Sequence, residues 1–199
     1  ERISAHLNPT PVRWWRGGGG LLKLENLQAT GAYKVRGALN ALMAQLERGD
    51  RRPVVAASAG NHSAGMAWAA RRLGLKATAV VPESAPRRKI DATRTLGADV
   101  IVAGADFEAA EQHAIALAQE RGWRFLHPFD DPDVIAGQGS LALELLAHRP
   151  DRVLVPIGGG GLASGISLVM AQHRIPVYGV QVEGVDAMRR ALGREAPLQ

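Results

Sequence analysis

The chain has 199 residues, with 24 basic and 19 acidic side chains for a net charge of +5, and no cysteine. That length supports one substantial core or two small ones, and the lack of cysteine excludes disulfides and thiolate metal sites and fits a reducing, cytoplasmic setting. The paired arginines at 51–52, 71–72, 87–88 and 189–190 are scattered among acids, so no nucleic-acid surface is expected, and the longest uncharged stretch, 153–173, is broken by Pro156 and a glycine run and makes a poor membrane span.

Short β-branched runs alternate with helical stretches, the pattern of an α/β fold with a mainly parallel sheet. Val12–Arg16 leads through four glycines, Gly17–Gly20, read as a flexible turn, into a first strand at Leu21–Leu24. A helix is expected over Lys34–Glu47, ended by Gly49-Asp50. Strand Val54–Ala57 then precedes a helix over Asn61–Leu73 that stops at Gly74. Strand Ala77–Val81 precedes a helix over Arg87–Leu96, and strand Val100–Val102 precedes a helix over Phe107–Arg121 that ends at Gly122. Strand Trp123–Leu126 follows. His127–Asp133, with two prolines and three acids, reads as a linker. A helix over Gly139–Ala147, strand Val153–Ile157, a helix over Leu162–Gln172 and strand Val177–Val182 complete the pattern.

Three stretches carry chemistry. The first holds Lys34, one of only four lysines against twenty arginines. An amine forms an imine with an aldehyde and a guanidinium does not, and burial favours the neutral, nucleophilic amine. The same pattern equally describes a snorkelling surface lysine at a helix start. The second is Ser58-Ala59-Gly60-Asn61-His62, between a strand and a helix, where unpaired N–H groups and the helix dipole favour an anion. Asn61 adds a donor, and His62 offers a group that donates or accepts a proton. A plain helix cap by Ser58 or Asn61 is the competing account. The third is Gly158-Gly159-Gly160-Gly161-Leu162, again between strand and helix. It offers several amide donors to a phosphate, yet it lacks the Gly-Lys-Ser/Thr of a nucleotide loop and the spaced glycines of a dinucleotide fingerprint. A tight strand-to-helix turn is the alternative. An amine, a carboxylate-binding turn and a phosphate cup together suit pyridoxal phosphate, whose substrates are amino acids.

The chain resembles the threonine/serine dehydratase family of pyridoxal-phosphate enzymes, of the tryptophan-synthase-β fold type. The resemblance rests on Leu24–Ala38, Ser58–His62 and Gly158–Leu162, with Val81–Lys89 and His127–Gly139 in the same order and spacing. It implies two-lobed open sheets with flanking helices: a large, cofactor-anchoring lobe from residues 1–52 and 131–199, whose C-terminal part would be missing here, and a small lobe from residues 53–130. It implies that Lys34 holds the cofactor as an imine and then acts as base at the substrate Cα, with Tyr33 packed near the ring. By the same resemblance Asn61 bonds the ring hydroxyl, Gly158, Gly159, Gly160, Gly161 and Leu162 bind the phosphate, and the backbone of Ser58, Ala59, Gly60, Asn61 and His62 holds the substrate carboxylate.

The implied activity is dehydration and deamination of L-threonine or L-serine to 2-oxobutyrate or pyruvate plus ammonia, by a cytoplasmic homo-oligomer of two or four copies. A serine racemase, a β-replacement enzyme, or a truncated non-catalytic ligand-binding remnant are the alternatives. Two departures bear on them. Ala59 stands where serine-racemising relatives carry a serine on the opposite face of the substrate, and Ala32 replaces a usual serine. Glu183 falls where some relatives bind a divalent cation, but Arg189 occupies the last ligand position, so no metal is expected.

Overall fold

The computed structural model describes residues 2–193. Chain order is β1 (Val12–Trp15), β2 (Gly20–Lys23), a 3-10 turn at Glu25–Leu27, α1 (Lys34–Glu47), β3 (Val54–Ala57), α2 (Asn61–Leu73), β4 (Ala77–Val81), α3 (Arg87–Thr95), β5 (Asp99–Val102), α4 (Phe107–Arg121), β6 (Arg124–Phe125), α5 (Pro132–Leu146), β7 (Val153–Pro156), α6 (Gly161–Gln172), β8 (Val177–Val180) and α7 (Ala187–Ala191). No helix among these residues is long and apolar enough to cross a membrane.

The central sheet is parallel, in the order β5-β4-β3-β6. Every residue of β3 and β4 is buried, as the β-branched and alanine runs require of strands covered on both faces. Alternation sorts their side chains. Val54 and Ala56 join the core shared with α1 and α2, while Val55 and Ala57 pack with Ala110, Ala114 and Leu117 of α4. β7 and β8 form a separate parallel pair, covered by α5 and α6 through Leu141, Ala142, Ile166 and Met170. β1 and β2 pair antiparallel, from Val12 opposite Lys23 to Trp15 opposite Gly20. The expected flexible turn is therefore a hairpin, its end closed by the Gly19 N–H bonding back to the Trp15 carbonyl at 3.0 Å.

One further expectation needed correction, and two elements were not anticipated. The stretch read as a linker contains the start of α5, seven residues earlier than Gly139: Asp131 accepts from the N–H groups of Asp133 and Val134 at 2.8 and 3.1 Å, and Pro132 takes the first helical position. Asp131, Pro132 and Asp133 were thus a helix-start signal. β1 and α7 were not foreseen.

α1 lies between α2 and α5 and is buried along most of its length. One of its buried residues is charged. Arg36, 1% exposed, bonds Glu25 through Nε at 2.8 Å and Nη2 at 2.9 Å. It bonds Glu144 of α5 through Nη1 and Nη2, and Ser140 through Nη1 at 3.2 Å. Lys23 Nζ reaches the same Glu144 carboxylate and the Thr10 carbonyl. Two cations and two anions thus neutralise one another while joining the N-terminal segment, β2, α1 and α5.

Close approach completes the helical layer. A Cβ added at Gly165 of α6 would lie 2.4 Å from the Ile135 carbonyl oxygen and 2.7 Å from the Gly139 nitrogen of α5. Only a hydrogen fits there.

Two outcomes follow. Gly165→Ala forces backbone against backbone and lowers stability by about 1–3 kcal/mol, read by urea unfolding. Burial opposes ionisation of Glu144, but hydrogen bonds from Arg36 and Lys23 outweigh it and hold its carboxyl below the usual range. Its contribution is therefore present above the ordinary glutamate pKa and is lost as pH falls through the depressed folded value. Glu144→Gln costs on the order of 3 kcal/mol at neutral pH, and this deficit relative to the unaltered chain shrinks in acid.

Candidate active site

Lys34 opens α1, directly after Tyr33, which is held near the helical conformation at φ −61° and ψ −20°. The backbone here is pressed from α2. A Cβ added at Gly65 would stand 3.0 Å from the Val35 nitrogen and 3.1 Å from the Lys34 carbonyl carbon, so the glycine lets α2 seat its N-terminal turns close to Lys34. The Lys34 side chain is half-buried and donates to the Pro128 carbonyl at 2.7 Å. Its nitrogen also lies 5.5 Å from the centre of the Tyr33 ring. Burial holds the ammonium below the usual lysine range. The snorkelling, fully solvated lysine is not what the structure contains. Burial likewise raises the Tyr33 phenol; its hydroxyl makes no hydrogen bond to the described residues.

The turn before α2 is shaped by its own side chains. Ser58 Oγ accepts from the Gly60 N–H at 3.1 Å, and Ser63 Oγ donates to the Gly60 carbonyl at 2.9 Å. The N-cap position itself is Gly60, with no side-chain cap. Ser58 and Asn61 therefore do not cap the helix, and the Ala59, Asn61 and His62 N–H groups remain available as donors. Asn61 is exposed, and its amide has no hydrogen-bond partner among the described residues. His62 points the other way. It is 3% exposed, and its Nε2 lies 2.9 Å from the Leu126 carbonyl oxygen. Burial, reinforced by the charges of Lys34 and His127 and opposed by the Leu126 contact, pushes its pKa down to about 4. That burial favours the neutral imidazole.

The glycine run forms the turn from β7 into α6. Gly160 is the N-cap at φ +91°, a left-handed conformation that disfavours any side chain. Gly158, Gly159 and Gly160 donate no backbone hydrogen bond, and Gly161 and Leu162 begin the helix with the unpaired N–H groups of any first turn. Phe129 backs the run: a Cβ at Gly159 would fall 2.3 Å from its ring, and one at Gly161 would fall 2.8 Å from its carbonyl oxygen. Met188 of α7 closes on Gly160, its methyl 2.7 Å from where a Cβ would stand. A cavity of about 930 Å³ borders the run at Gly160, with Ile157, Ser164, Gln181 and Glu183 in its wall; it includes neither Lys34 nor Asn61.

Leu126, Pro128 and Phe129 were not among the candidate site residues, although 127–139 was part of the family resemblance, and the three motifs meet on them. Leu126 takes His62, Pro128 takes Lys34, and Phe129 supports the glycines. Two of these contacts use main-chain carbonyls, which leave no trace in residue type; the aromatic beside a proline was the one available signal. His127 stiffens the segment. Its Nδ1 accepts from the Phe129 and Asp130 N–H groups at 3.3 and 2.8 Å, and its ring meets those of Phe125 and Phe129 edge to face. Glu183 is exposed, and Arg189 is paired with Asp186. Among the described residues no three His, Asp or Glu side chains stand together as a metal site.

Comparison with known proteins gives the arrangement its context. A family model described as pyridoxal-phosphate dependent enzyme matches residues 3–199. The L-threonine ammonia-lyase of Thermotoga maritima is 47% identical over 182 residues, 89% of this chain and 45% of that protein. The processed form of threonine deaminase isoform 2 from Solanum lycopersicum superimposes with a TM-score of 0.90 at 35% identity, over 96% of this chain and 55% of that one. A pyridoxal 5'-phosphate-dependent aspartate racemase does so with a TM-score of 0.89 at 38% identity, over 100% of this chain and 64% of that one. The chain spans less than half the length of the curated L-threonine ammonia-lyases and dehydratases it matches. Its sheet order, its three converging motifs and these likenesses agree: with a tryptophan-synthase-β-like α/β fold, the chain belongs to the pyridoxal-phosphate dependent enzyme family.

Proposed function

We propose that this chain carries the cofactor-anchoring machinery of an L-threonine or L-serine dehydratase, which releases ammonia with 2-oxobutyrate or pyruvate. The observation that carries the proposal is Lys34: a half-buried amine with depressed proton affinity, held on the segment that also supports the glycine run and the α2 turn. The residues fit pyridoxal phosphate. An amine suits its aldehyde, a run of unpaired N–H groups suits its phosphate, and the unpartnered Asn61 amide suits its ring hydroxyl.

When bound, the cofactor supplies an electron sink for the carbanion formed at the substrate Cα. Lys34 Nζ is the base for the Cα proton, and its burial leaves more of it neutral near pH 7 than an exposed lysine would be. The N–H groups of Gly158 to Leu162 hold the phosphate, with the positive end of α6 behind them. The N–H groups of Ala59, Asn61 and His62, at the positive end of α2, hold the substrate carboxylate. The Tyr33 ring flanks the amine. Ala59 has no hydroxyl, so it offers no proton to the face opposite Lys34, which favours loss of the β-hydroxyl over inversion at Cα.

The division into a lobe of residues 53–130 and one of residues 1–52 and 131–199 belongs to the same proposal, supported by the separate sheets β5-β4-β3-β6 and β7-β8. So does a cytoplasmic homo-oligomer, for which the support is the family resemblance alone.

The test is covalent. Purified chain given pyridoxal phosphate develops a protein-dependent visible absorbance band, and borohydride reduction leaves the pyridoxyl group on the peptide containing Lys34. Lys34→Ala abolishes both and lowers keto-acid release from threonine or serine by at least about 100-fold. A chain that shows neither band nor label refutes the cofactor assignment, and a labelled chain that releases no keto acid supports the binding remnant instead.

A further inference from the structure

We infer that His62 is a positioning residue, whose Nε2–H bond to the Leu126 carbonyl sets where the Lys34 amine stands relative to the N-terminus of α2. The inference rests on the role of Lys34 proposed above.

The tautomer follows from the partner. A carbonyl oxygen only accepts, so Nε2 carries the hydrogen in the 2.9 Å contact. Nδ1 is then a lone-pair acceptor, and it is sealed from solvent with no donor facing it. Leaving a buried acceptor unpaired is destabilising. The position tolerates that cost while using one ring nitrogen only, which is the behaviour of a spacer of fixed reach rather than of a proton relay.

The route to Lys34 is short and stiff. Leu126 is fully buried, and its N–H is held by the Val55 carbonyl at 2.8 Å. His62 therefore ties the first turn of α2 to the exit of β6. Two residues on, the Pro128 carbonyl receives Lys34 Nζ at 2.7 Å. Between them, His127 locks the turn through the Phe129 and Asp130 N–H groups and through edge-on contact with the Phe129 ring, centroids 4.6 Å apart. A shift of Leu126 is thus passed to Pro128, and through it to the amine. On the other side, Gly65 presses α2 against the Lys34 backbone. The amine is located by two contacts from the same helix, one steric and one polar.

The experiment begins with cofactor-free protein. The chain has four lysines, so their side-chain NMR signals are few enough to assign by substitution. His62→Leu, which keeps the volume and removes the donor, moves the Lys34 titration midpoint upward toward the ordinary lysine value and weakens pyridoxal-phosphate binding roughly 10-fold, the equivalent of one net hydrogen bond. His62→Gln, whose amide nitrogen has a similar reach to Nε2, recovers most of both. Thermal unfolding verifies that each variant is folded. If His62→Leu does not fold, His62→Asn, one methylene shorter than Gln, replaces it with the same expectation. A folded Leu variant, or in its place a folded Asn variant, whose Lys34 titrates as in the unaltered chain overturns the inference, as does a Gln variant as impaired as either of them. Failure of the unaltered chain to take up cofactor would instead count against the role of Lys34, and the titration would still decide the role of His62.

Discussion

The placement of α1 depends on one buried guanidinium. Arg36 is two residues after Lys34, about 200° around the helix, so the two side chains leave on nearly opposite faces. Helix α1 is therefore gripped from the Arg36 side by Glu25 and Glu144 and leaves its Lys34 side facing α2 and the segment after β6. A hydrophobic residue at 36 would bury as well, but it would not select one rotation of the helix about its axis. The planar fork of the guanidinium does, because both carboxylates must be met in fixed directions. Lys23 completes the charge balance and brings the hairpin into the same constraint.

Around that fixed helix, contact without side chains sets the distances. At Gly65 one helix reaches the backbone of the next, and at Gly165 α6 reaches α5 in the same way. Such junctions allow little sliding, since backbone atoms do not change rotamer. The three sequence motifs sit at helix starts: Lys34 at the start of α1, the Asn61 turn at the start of α2, the glycine run at the start of α6. All three present helix N-termini, and each follows a strand or an irregular turn that frees the first N–H groups.

Most of this was legible in the sequence because it is local. The bounds of α1, α2 and α4 followed from periodicity and from the glycines after α2 and α4, and the three motifs followed from residue types that chemistry restricts. What was not legible is the segment that joins the motifs. Leu126 and Pro128 act through main-chain carbonyls, which every residue possesses. Asp131 and Pro132 obscured matters further, because an acid followed by a proline serves a linker and a helix start equally well, and only the hydrogen bonds to Asp133 and Val134 distinguish them. β1 was missed because Trp14 and Trp15 are exposed, so no alternation marks the strand.

The burial of Lys23 Nζ against Glu144 and the Thr10 carbonyl has a chemical consequence beyond stability. An aldehyde reacts with whatever free amine it meets, and the chain's other cations are guanidiniums, which do not condense with it under the same conditions. With one lysine committed to an ion pair, the competing side-chain amines among the described residues are the exposed Lys76 and Lys89. The protein thus carries much positive charge while offering an electrophile few places to go. On the proposed role of Lys34, selectivity for its amine would come partly from what the rest of the surface lacks.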